Sequence, residues 1–205
     1  MRAAILIFAA WLMIAAPVLA ESTVLFVGDR LSAGFGLDNP GAEAFPALIQ
    51  AKIKERGLPF KVVNAGVSGD TSAGGLGRID WLLRQPVAVL VLELGGNDGL
   101  RGIDPDRTAA NLRGIIQKTK AKYPEARVLI AGMQMPTSMG EPYVGHFAAV
   151  FPDVAKTENA ALLPFLLAGV GGSRELNQRD GVHPTAAGHK QIAETLWPAL
   201  EPLLK

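Results

Sequence analysis

The chain has 205 residues, with 20 Lys and Arg, 19 Asp and Glu, and no cysteine. The lack of cysteine excludes a disulfide framework and a lipid-modified cysteine, and the balanced charge gives no electrostatic footprint for nucleic acid or an anionic membrane. These bounds favour a small enzyme or binding domain that depends on its apolar core.

Residues 1–20 have the features of a secretory signal peptide. Arg2 gives a positive start, residues 3–16 are almost wholly apolar, and small residues precede a cleavage point after Ala20. The alternative is an uncleaved anchor, but a membrane span needs about 20 apolar residues. We therefore predict a periplasmic or secreted protein without a stable membrane anchor, whose mature part is one domain over residues 21–205. Loss of Arg2 leaves 19 basic and 19 acidic residues.

Beyond the signal, short β-rich runs alternate with amphipathic stretches, which is typical of a parallel sheet covered by helices. In chain order, the predicted strands are residues 23–27, 60–64, 87–92, 127–133 and 161–164. The predicted helices between and after them are residues 44–56, 71–84, 105–122, 143–159 and 185–200. The third strand is a continuous apolar run, as expected of a central strand buried on both faces. The sequence thus predicts an α/β domain of three layers (α/β/α), with a doubly wound, five-stranded parallel sheet.

Three residues mark details of the last two helices. Pro152 is expected to interrupt the fourth helix, and Pro198 to kink the fifth, because proline lacks the N–H of a regular turn. Thr185 is expected to cap the start of the fifth helix.

Four polar or glycine-rich clusters occupy the places where ligands bind in such a sheet, outside the carboxyl ends of the strands. Three of them follow the first, second and third strands, and one precedes the last helix. They are residues 28–32, 65–70, 95–98 and 180–184. We expect all four to meet at one edge of the sheet.

Asp180 and His183 lie three residues apart on a turn that contains Gly181 and Pro184. A carboxylate that orients an imidazole in this way forms the base half of a nucleophile–base–carboxylate triad. The alternative for Asp180 is a helix cap beside a surface histidine.

Gly95-Gly96-Asn97-Asp98 follows the most apolar strand, and Gly66 follows the neighbouring one. An amide held at a strand end and a backbone N–H nearby are suitable donors for a developing oxyanion. The alternative is a tight turn in which Gly and Asn adopt positive φ.

Taken together, these blocks resemble the GDSL or SGNH hydrolase family. Gly28-Asp29-x-Leu31-Ser32, Gly66, Gly95-Gly96-Asn97-Asp98 and Asp180-x-x-His183 occur in the family's order. The strings VNAGVSGDTSAGG, LELGGNDGLRG and DGVHPTAAGH are similar to its periplasmic arylesterase, thioesterase and lysophospholipase branch. The resemblance spans essentially all of residues 21–205 and implies a flavodoxin-like SGNH hydrolase fold.

The resemblance also implies roles for single residues. His183 would be the general base and Asp180 its partner, while Gly66, Asn97 and the backbone N–H of Arg30 would donate to the oxyanion. The acyl pocket would be lined by Gly99, Leu100, Arg101, Met133 and Pro136. The expected substrate is a small acyl ester, a thioester or a lysophospholipid, and the family uses neither a metal nor an organic cofactor. A monomer is the expected state of a small exported hydrolase.

The sequence departs from the family at one position, because Arg30 stands where the family has its nucleophilic serine. A guanidinium is a permanent cation and does not act as an acyl acceptor. Loss of the nucleophile costs about 10⁶ in turnover in subtilisin, so we predict a strongly impaired hydrolase.

Two alternatives remain at this point. Arg30 could bind a carboxylate in the former oxyanion pocket, since a guanidinium matches carboxylate geometry. Ser32 or Ser68, or a water activated by His183, could instead replace the lost nucleophile.

Overall fold

A five-stranded parallel sheet, in the order β2-β1-β3-β4-β5, runs through the middle of the domain in the computed structural model. The strands are β1 (Ser22–Gly28), β2 (Phe60–Asn64), β3 (Val89–Glu93), β4 (Arg127–Ala131) and β5 (Ala161–Leu163). The structure describes residues 21–205, and the predicted signal peptide over residues 1–20 lies outside the described residues. The predicted doubly wound α/β fold is confirmed.

Eight α-helices of residues 21–205 connect and cover the strands. They are α1 (Arg30–Ala33), α2 (Pro40–Glu43), α3 (Phe45–Glu55), α4 (Ser72–Leu82), α5 (Gly96–Leu100), α6 (Pro105–Lys122), α7 (Glu141–Thr157) and α8 (Ala186–Leu200). Helices α3 and α8 pack together on one face of the sheet, and α4, α6 and α7 pack side by side on the other. None of these helices combines the length and apolar character that a membrane crossing requires.

The order of the strands positions the site. The chain leaves β1 toward β2 on one side and later returns to form β3 on the other, so the sheet reverses its direction of growth at β1 and β3. Ligands bind at such switch points, in the crevice beyond the carboxyl ends of the strands. Here β1 and β3 are in register with Gly28 opposite Glu93. The residues that follow these two strands therefore face each other.

Two predictions about helices were incomplete or wrong. The short helices α1, α2 and α5 lie in segments for which no helix was predicted. Pro152 does not interrupt the fourth helix, because α7 continues through it. Pro152 and Ala148, whose carbonyl loses its helical partner, are both exposed, so water can satisfy that carbonyl. Pro198 likewise lies inside α8, close to its end.

The other predicted elements match the structure to within a few residues at their ends. The strand predicted at residues 87–92 is Val89–Glu93, and the one predicted at residues 127–133 ends at Ala131. Thr185 caps α8 as predicted, since its side chain accepts a hydrogen bond from the Gly188 N–H at 3.3 Å. All five residues of β3 are buried, including its last residue, Glu93.

Candidate active site

Arg30, Asn97 and His183 meet at the carboxyl edge of the sheet, although they are far apart in the sequence. Arg30 is the first residue of α1 and follows β1, Asn97 lies in α5 after β3, and His183 lies in the loop before α8. Arg30 Nη1 is 3.2 Å from His183 Nε2, and Arg30 Nη2 is 3.0 Å from Asn97 Oδ1. The clusters after β1 and β3 and the one before α8 therefore converge, as the sequence predicted.

His183 is oriented by Asp180. The Nδ1 atom of His183 lies 2.5 Å from Asp180 Oδ2, and Asp180 Oδ1 accepts the backbone N–H groups of Val182 and His183 at 2.9 and 3.0 Å. The hydrogen bond from the His183 side chain, followed by those from the two backbone N–H groups, holds the pKa of Asp180 well below its usual range. Asp180 is thus a carboxylate at neutral pH.

The contact with Arg30 fixes the tautomer of a neutral His183. A guanidinium has donors only, so Nε2 of His183 must accept from Arg30 and Nδ1 must carry the proton that is donated to Asp180. The Phe35 ring covers the imidazole at a centroid distance of 4.7 Å, and His183 is buried. Arg30 itself is half-buried. The Nη atoms of Arg30 therefore donate to His183 Nε2 and Asn97 Oδ1, and neither group carries a negative charge to balance the guanidinium.

Asn97 directs its amide nitrogen away from Arg30. Its Nδ2 donates to Asp29 Oδ2 at 2.7 Å and to the Asp70 carbonyl at 2.9 Å, while its Oδ1 accepts from Arg30. Asp29 also caps α1 by accepting the Leu31 N–H at 2.9 Å. Burial raises the pKa of Asp29, although its hydrogen bonds act in the opposite direction.

Gly66 lies against the backbone of α1. A Cβ atom at this position would be 2.4 Å from Ala33 N and 2.8 Å from Ser32 C. The Gly66 N–H donates to Asn64 Oδ1 at 2.9 Å. The tight packing explains the glycine, and the N–H that the family resemblance assigned to the oxyanion is engaged within its own loop.

Neither Ser32 nor Ser68 has its hydroxyl where it could act as the nucleophile. The Ser32 hydroxyl is fully buried and donates to Glu93 Oε2 at 2.6 Å, so it points into the protein and not toward His183. Ser68 lies on the exposed loop after β2. Within residues 21–205, the side-chain hydrogen bond to His183 Nε2 comes from Arg30.

An open pocket of about 380 Å³ begins at Arg30 and Asn97 and is bordered by His183. Most of its lining is apolar and comes from the segments after β3, β4 and β5 and from the loop before α8. The apolar lining residues are Leu31, Leu100, Met133, Met135, Pro136, Phe165, Leu167 and Val182. Such a pocket, with polar groups at one end, suits an acyl chain attached to a polar group.

Three of the five residues predicted to line this pocket do so, namely Leu100, Met133 and Pro136. Gly99 and Arg101 do not. Gly99 is buried beneath Met135, whose Sδ would be 2.2 Å from a Cβ at this position. Arg101 is exposed, and its Nη2 donates to the Gly69 carbonyl at 3.0 Å. Gly99 lies in α5 and Arg101 directly follows the helix, and both face away from the pocket.

Some residues of the site were not predicted. Phe165 and Leu167 line the pocket but come from segments in which no motif marks a site, and Phe35, which covers His183, lies in a loop for which no role was predicted. Glu93 follows the predicted third strand directly and was given no role, although a charged residue at the end of a fully apolar strand is a signal of a buried polar contact. No three His, Cys, Asp or Glu side chains of residues 21–205 cluster in a way that could hold a metal ion.

Comparison with known proteins agrees with this arrangement. The model of the GDSL-like lipase/acylhydrolase family matches residues 26–191. The chain is 45% identical to the esterase TesA of Pseudomonas aeruginosa over 186 residues, which is 90% of each chain. It is 41% identical to thioesterase 1/protease 1/lysophospholipase L1 of Escherichia coli over 187 residues, covering 90% of this chain and 86% of the relative.

Solved structures give the same result. The crystal structure of TesA superposes with a TM-score of 0.85 at 45% identity, covering 89% of this chain and all (100%) of the other. The psychrotrophic esterase EstA from a Pseudoalteromonas species superposes with a TM-score of 0.82 at 31% identity, covering 90% and 99%. With its fold, its convergent Asn97 and His183 and these relatives, the chain belongs to the GDSL-like lipase/acylhydrolase family.

Proposed function

We propose that this chain is an acyl-ester hydrolase of the esterase, thioesterase or lysophospholipase type whose turnover is suppressed by Arg30. The observation that supports the proposal is the 3.2 Å contact from Arg30 Nη1 to His183 Nε2. In a Ser-His-Asp triad the nucleophile's hydroxyl donates to this nitrogen, which then takes its proton. Arg30 occupies the same hydrogen-bonding place with a group that neither gives up a proton nor attacks a carbonyl.

The base half of the triad is otherwise complete. Asp180 is a carboxylate, and its 2.5 Å contact to His183 Nδ1 would stabilise the imidazolium that forms when the base takes a proton. Arg30 begins α1, so its backbone N–H has no acceptor inside the helix and is a suitable oxyanion donor. The missing part is the nucleophile, and its removal raises the barrier by about 8 kcal/mol in the subtilisin comparison.

Rescue by Ser32 is disfavoured by its hydrogen bond to the buried Glu93. A water molecule that replaces the serine would have to reach His183 Nε2 past the Arg30 guanidinium. We therefore expect the parent chain to hydrolyse activated esters only slowly, and without a covalent acyl intermediate.

The test is the substitution Arg30→Ser, assayed on short p-nitrophenyl esters. We expect kcat/KM to rise by several orders of magnitude, since the change restores a hydroxyl opposite His183 Nε2. Arg30→Ala is the matched control, because it removes the guanidinium without adding a nucleophile, and its activity should stay far below that of Arg30→Ser. An Arg30→Ser chain that is no more active than Arg30→Ala would refute the site assignment.

A second candidate function is binding of a fatty acid or similar carboxylate. Arg30 forms no ion pair within 4.0 Å among residues 21–205, and its guanidinium stands at the end of the apolar pocket. A guanidinium is a strong, bidentate partner for a carboxylate. Calorimetric titration with decanoate should then show saturable binding that Arg30→Ala weakens at least tenfold, a change of about 1.4 kcal/mol. Equal affinities of the two chains would exclude this function.

We also propose that the protein is exported and acts as a monomer. Mass spectrometry of the protein isolated from the periplasm or the medium should give a chain that begins at Glu21. Light scattering should give the mass of a single domain.

A further inference from the structure

Glu93 lies directly beneath the turn that carries the nucleophile position. It is the last residue of β3, opposite Gly28 in the β1–β3 register, and its exposed fraction is 0%. Its Oε2 accepts three hydrogen bonds, from the backbone N–H groups of Asp29 and Ser32 at 3.2 Å each and from the Ser32 hydroxyl at 2.6 Å. One carboxyl oxygen thus holds the chain on both sides of residue 30.

The packing around this carboxyl leaves little freedom. A Cβ atom on Gly28 would lie 2.2 Å from Ser32 Oγ and 2.4 Å from Glu93 Oε2. The backbone of the turn therefore approaches the carboxyl as closely as a glycine allows. Within residues 21–205, the Ser32 hydroxyl donates its hydrogen bond to Glu93 alone. A shift of the Glu93 side chain would therefore also shift the turn.

The surroundings of Glu93 favour the neutral acid over the carboxylate. Burial and the neighbouring Asp29 carboxyl, in that order, raise its pKa well above the usual range. The second oxygen, Oε1, is buried without a hydrogen-bond partner within the described chain. A neutral carboxylic acid tolerates this environment far better than a carboxylate.

We propose that Glu93 is a positioning residue that aims residue 30 at His183 by fixing the backbone of Asp29 and Ser32. The effect on turnover rests on the proposed function. Glu93 acts here through the oxygen that accepts the three hydrogen bonds, and its charge is not needed. A neutral side chain of the same shape with an acceptor oxygen should therefore serve equally well. A 1 Å misplacement of a reacting group costs about 100-fold in rate, so the effect of losing this anchor should appear in kcat.

The experiment compares variants in the Arg30→Ser chain. Glu93→Gln keeps an acceptor oxygen and mimics the neutral acid, and we expect its kcat to stay within a few-fold of Arg30→Ser. Glu93→Leu keeps the approximate shape without an acceptor, and we expect a loss of about tenfold to 100-fold in kcat with KM unchanged. A merely structural role would lower the amount of folded protein and leave the kcat of the folded fraction intact.

Because Glu93→Leu leaves three donors unpaired and could fail to fold, Ser32→Ala provides a milder arm. It removes the shortest of the three hydrogen bonds, and we expect a several-fold fall in kcat. Thr119→Val is the matched control, since the Thr119 hydroxyl is equally buried and donates to the Ile115 carbonyl at 2.8 Å, within α6. Unchanged kcat in Ser32→Ala or in folded Glu93→Leu, or equal damage in Glu93→Gln and Glu93→Leu, would overturn the proposal.

A second measurement separates this inference from the proposed function. If Arg30→Ser itself is inactive, the hydrolase proposal fails, and Glu93 is tested in the parent chain by NMR. The Nε2 resonance of His183, which reports the hydrogen bond from Arg30, should move in Glu93→Leu or Ser32→Ala and stay in place in Glu93→Gln and Thr119→Val. A His183 resonance that is the same in all four variants would rule out a positioning role.

Discussion

Arg30 Nη2 and Asn97 Oδ1 lie 3.0 Å apart, and this contact requires the Asn97 amide to present its oxygen to the guanidinium. The amide nitrogen is held on the other side by Asp29 Oδ2 and the Asp70 carbonyl. Arg30 therefore engages both groups that a serine at this position would need, the base at His183 and the amide at Asn97. A single residue thus occupies both His183 Nε2 and Asn97 Oδ1, the two groups on which the proposed hydrolysis depends.

The first prediction concerns Asn97 in the Arg30→Ser chain. In that chain no guanidinium holds Asn97 Oδ1 toward the site, so the amide can turn and present Nδ2 to an oxyanion. Removing one oxyanion donor costs about 10²–10³ in kcat in acyl-transfer enzymes, so Asn97→Ala should reduce kcat by that factor with a small change in KM. Steady-state kinetics on p-nitrophenyl esters provides the measurement. Gln117→Ala is a suitable control, because the Gln117 amide is exposed on α6 and contacts Glu158. If kcat responds equally to both substitutions, Asn97 has no special role.

Much of the fold could be predicted because the strands of a parallel sheet are short apolar runs. The string VAVLVL predicted a central strand, and β3 is buried over its whole length. The short helices α1 and α5 could not be predicted in this way, because their apolar residues are too few to show a helical period. Both helices begin inside the polar or glycine-rich clusters, whose composition indicates turns. Gly95, directly before α5, has a positive φ of 114°.

The site was only partly predictable for a different reason. Asp180 and His183 are close in sequence, so their spacing alone suggested a contact. The contacts of Glu93 with Asp29 and Ser32 span more than 60 residues, and Phe35 reaches His183 from another loop. Contacts of this kind depend on strand order and register, which a single sequence does not specify.

The second prediction concerns His189, which is 1% exposed and stacks on Phe45. Its Nδ1 accepts the Phe45 N–H at 3.2 Å, and burial lowers its pKa from 6.5 to about 4. The unfolded chain then binds a proton more readily than the folded one, so stability falls as the pH drops from 6.5 toward 4. The lowered pKa corresponds to a loss of about 3 kcal/mol.

Urea unfolding at pH 7 and pH 4.5 tests this prediction. The parent chain should lose more stability between the two pH values than His189→Gln, which cannot be protonated. His146→Gln is the control, since His146 is exposed beside Asp106, and its pH dependence should follow that of the parent. Identical pH dependence in all three chains would mean that His189 does not titrate as described.

The third prediction concerns the buried acid pair Glu93 and Asp29. Because burial raises the pKa of Glu93 in the folded state, the folded chain holds a proton that the unfolded chain releases above its ordinary pKa. Stability is therefore lost as the pH rises above that value, by up to about 1.4 kcal/mol per pH unit until the folded pKa is reached. Glu93→Gln removes this dependence. Urea unfolding from pH 5 to 8 should show its stability rising relative to the parent, and parallel curves would contradict the buried neutral acid.

The last prediction compares two glycines that differ in their surroundings. A Cβ at Gly66 would lie 2.4 Å from the backbone nitrogen of Ala33, whereas a Cβ at Gly77, in the exposed part of α4, would have no atom within 4 Å. Gly66→Ala must displace α1 and should destabilise the fold by about 1–3 kcal/mol. Gly77→Ala should stabilise it by about 1 kcal/mol, because alanine favours the helix. Thermal unfolding of both chains provides the comparison.

In the Arg30→Ser background, Gly66→Ala should also lower kcat, since α1 carries residue 30, while Gly77→Ala should leave kcat unchanged. An active and stable Gly66→Ala chain would show that α1 does not need its close approach to the loop after β2.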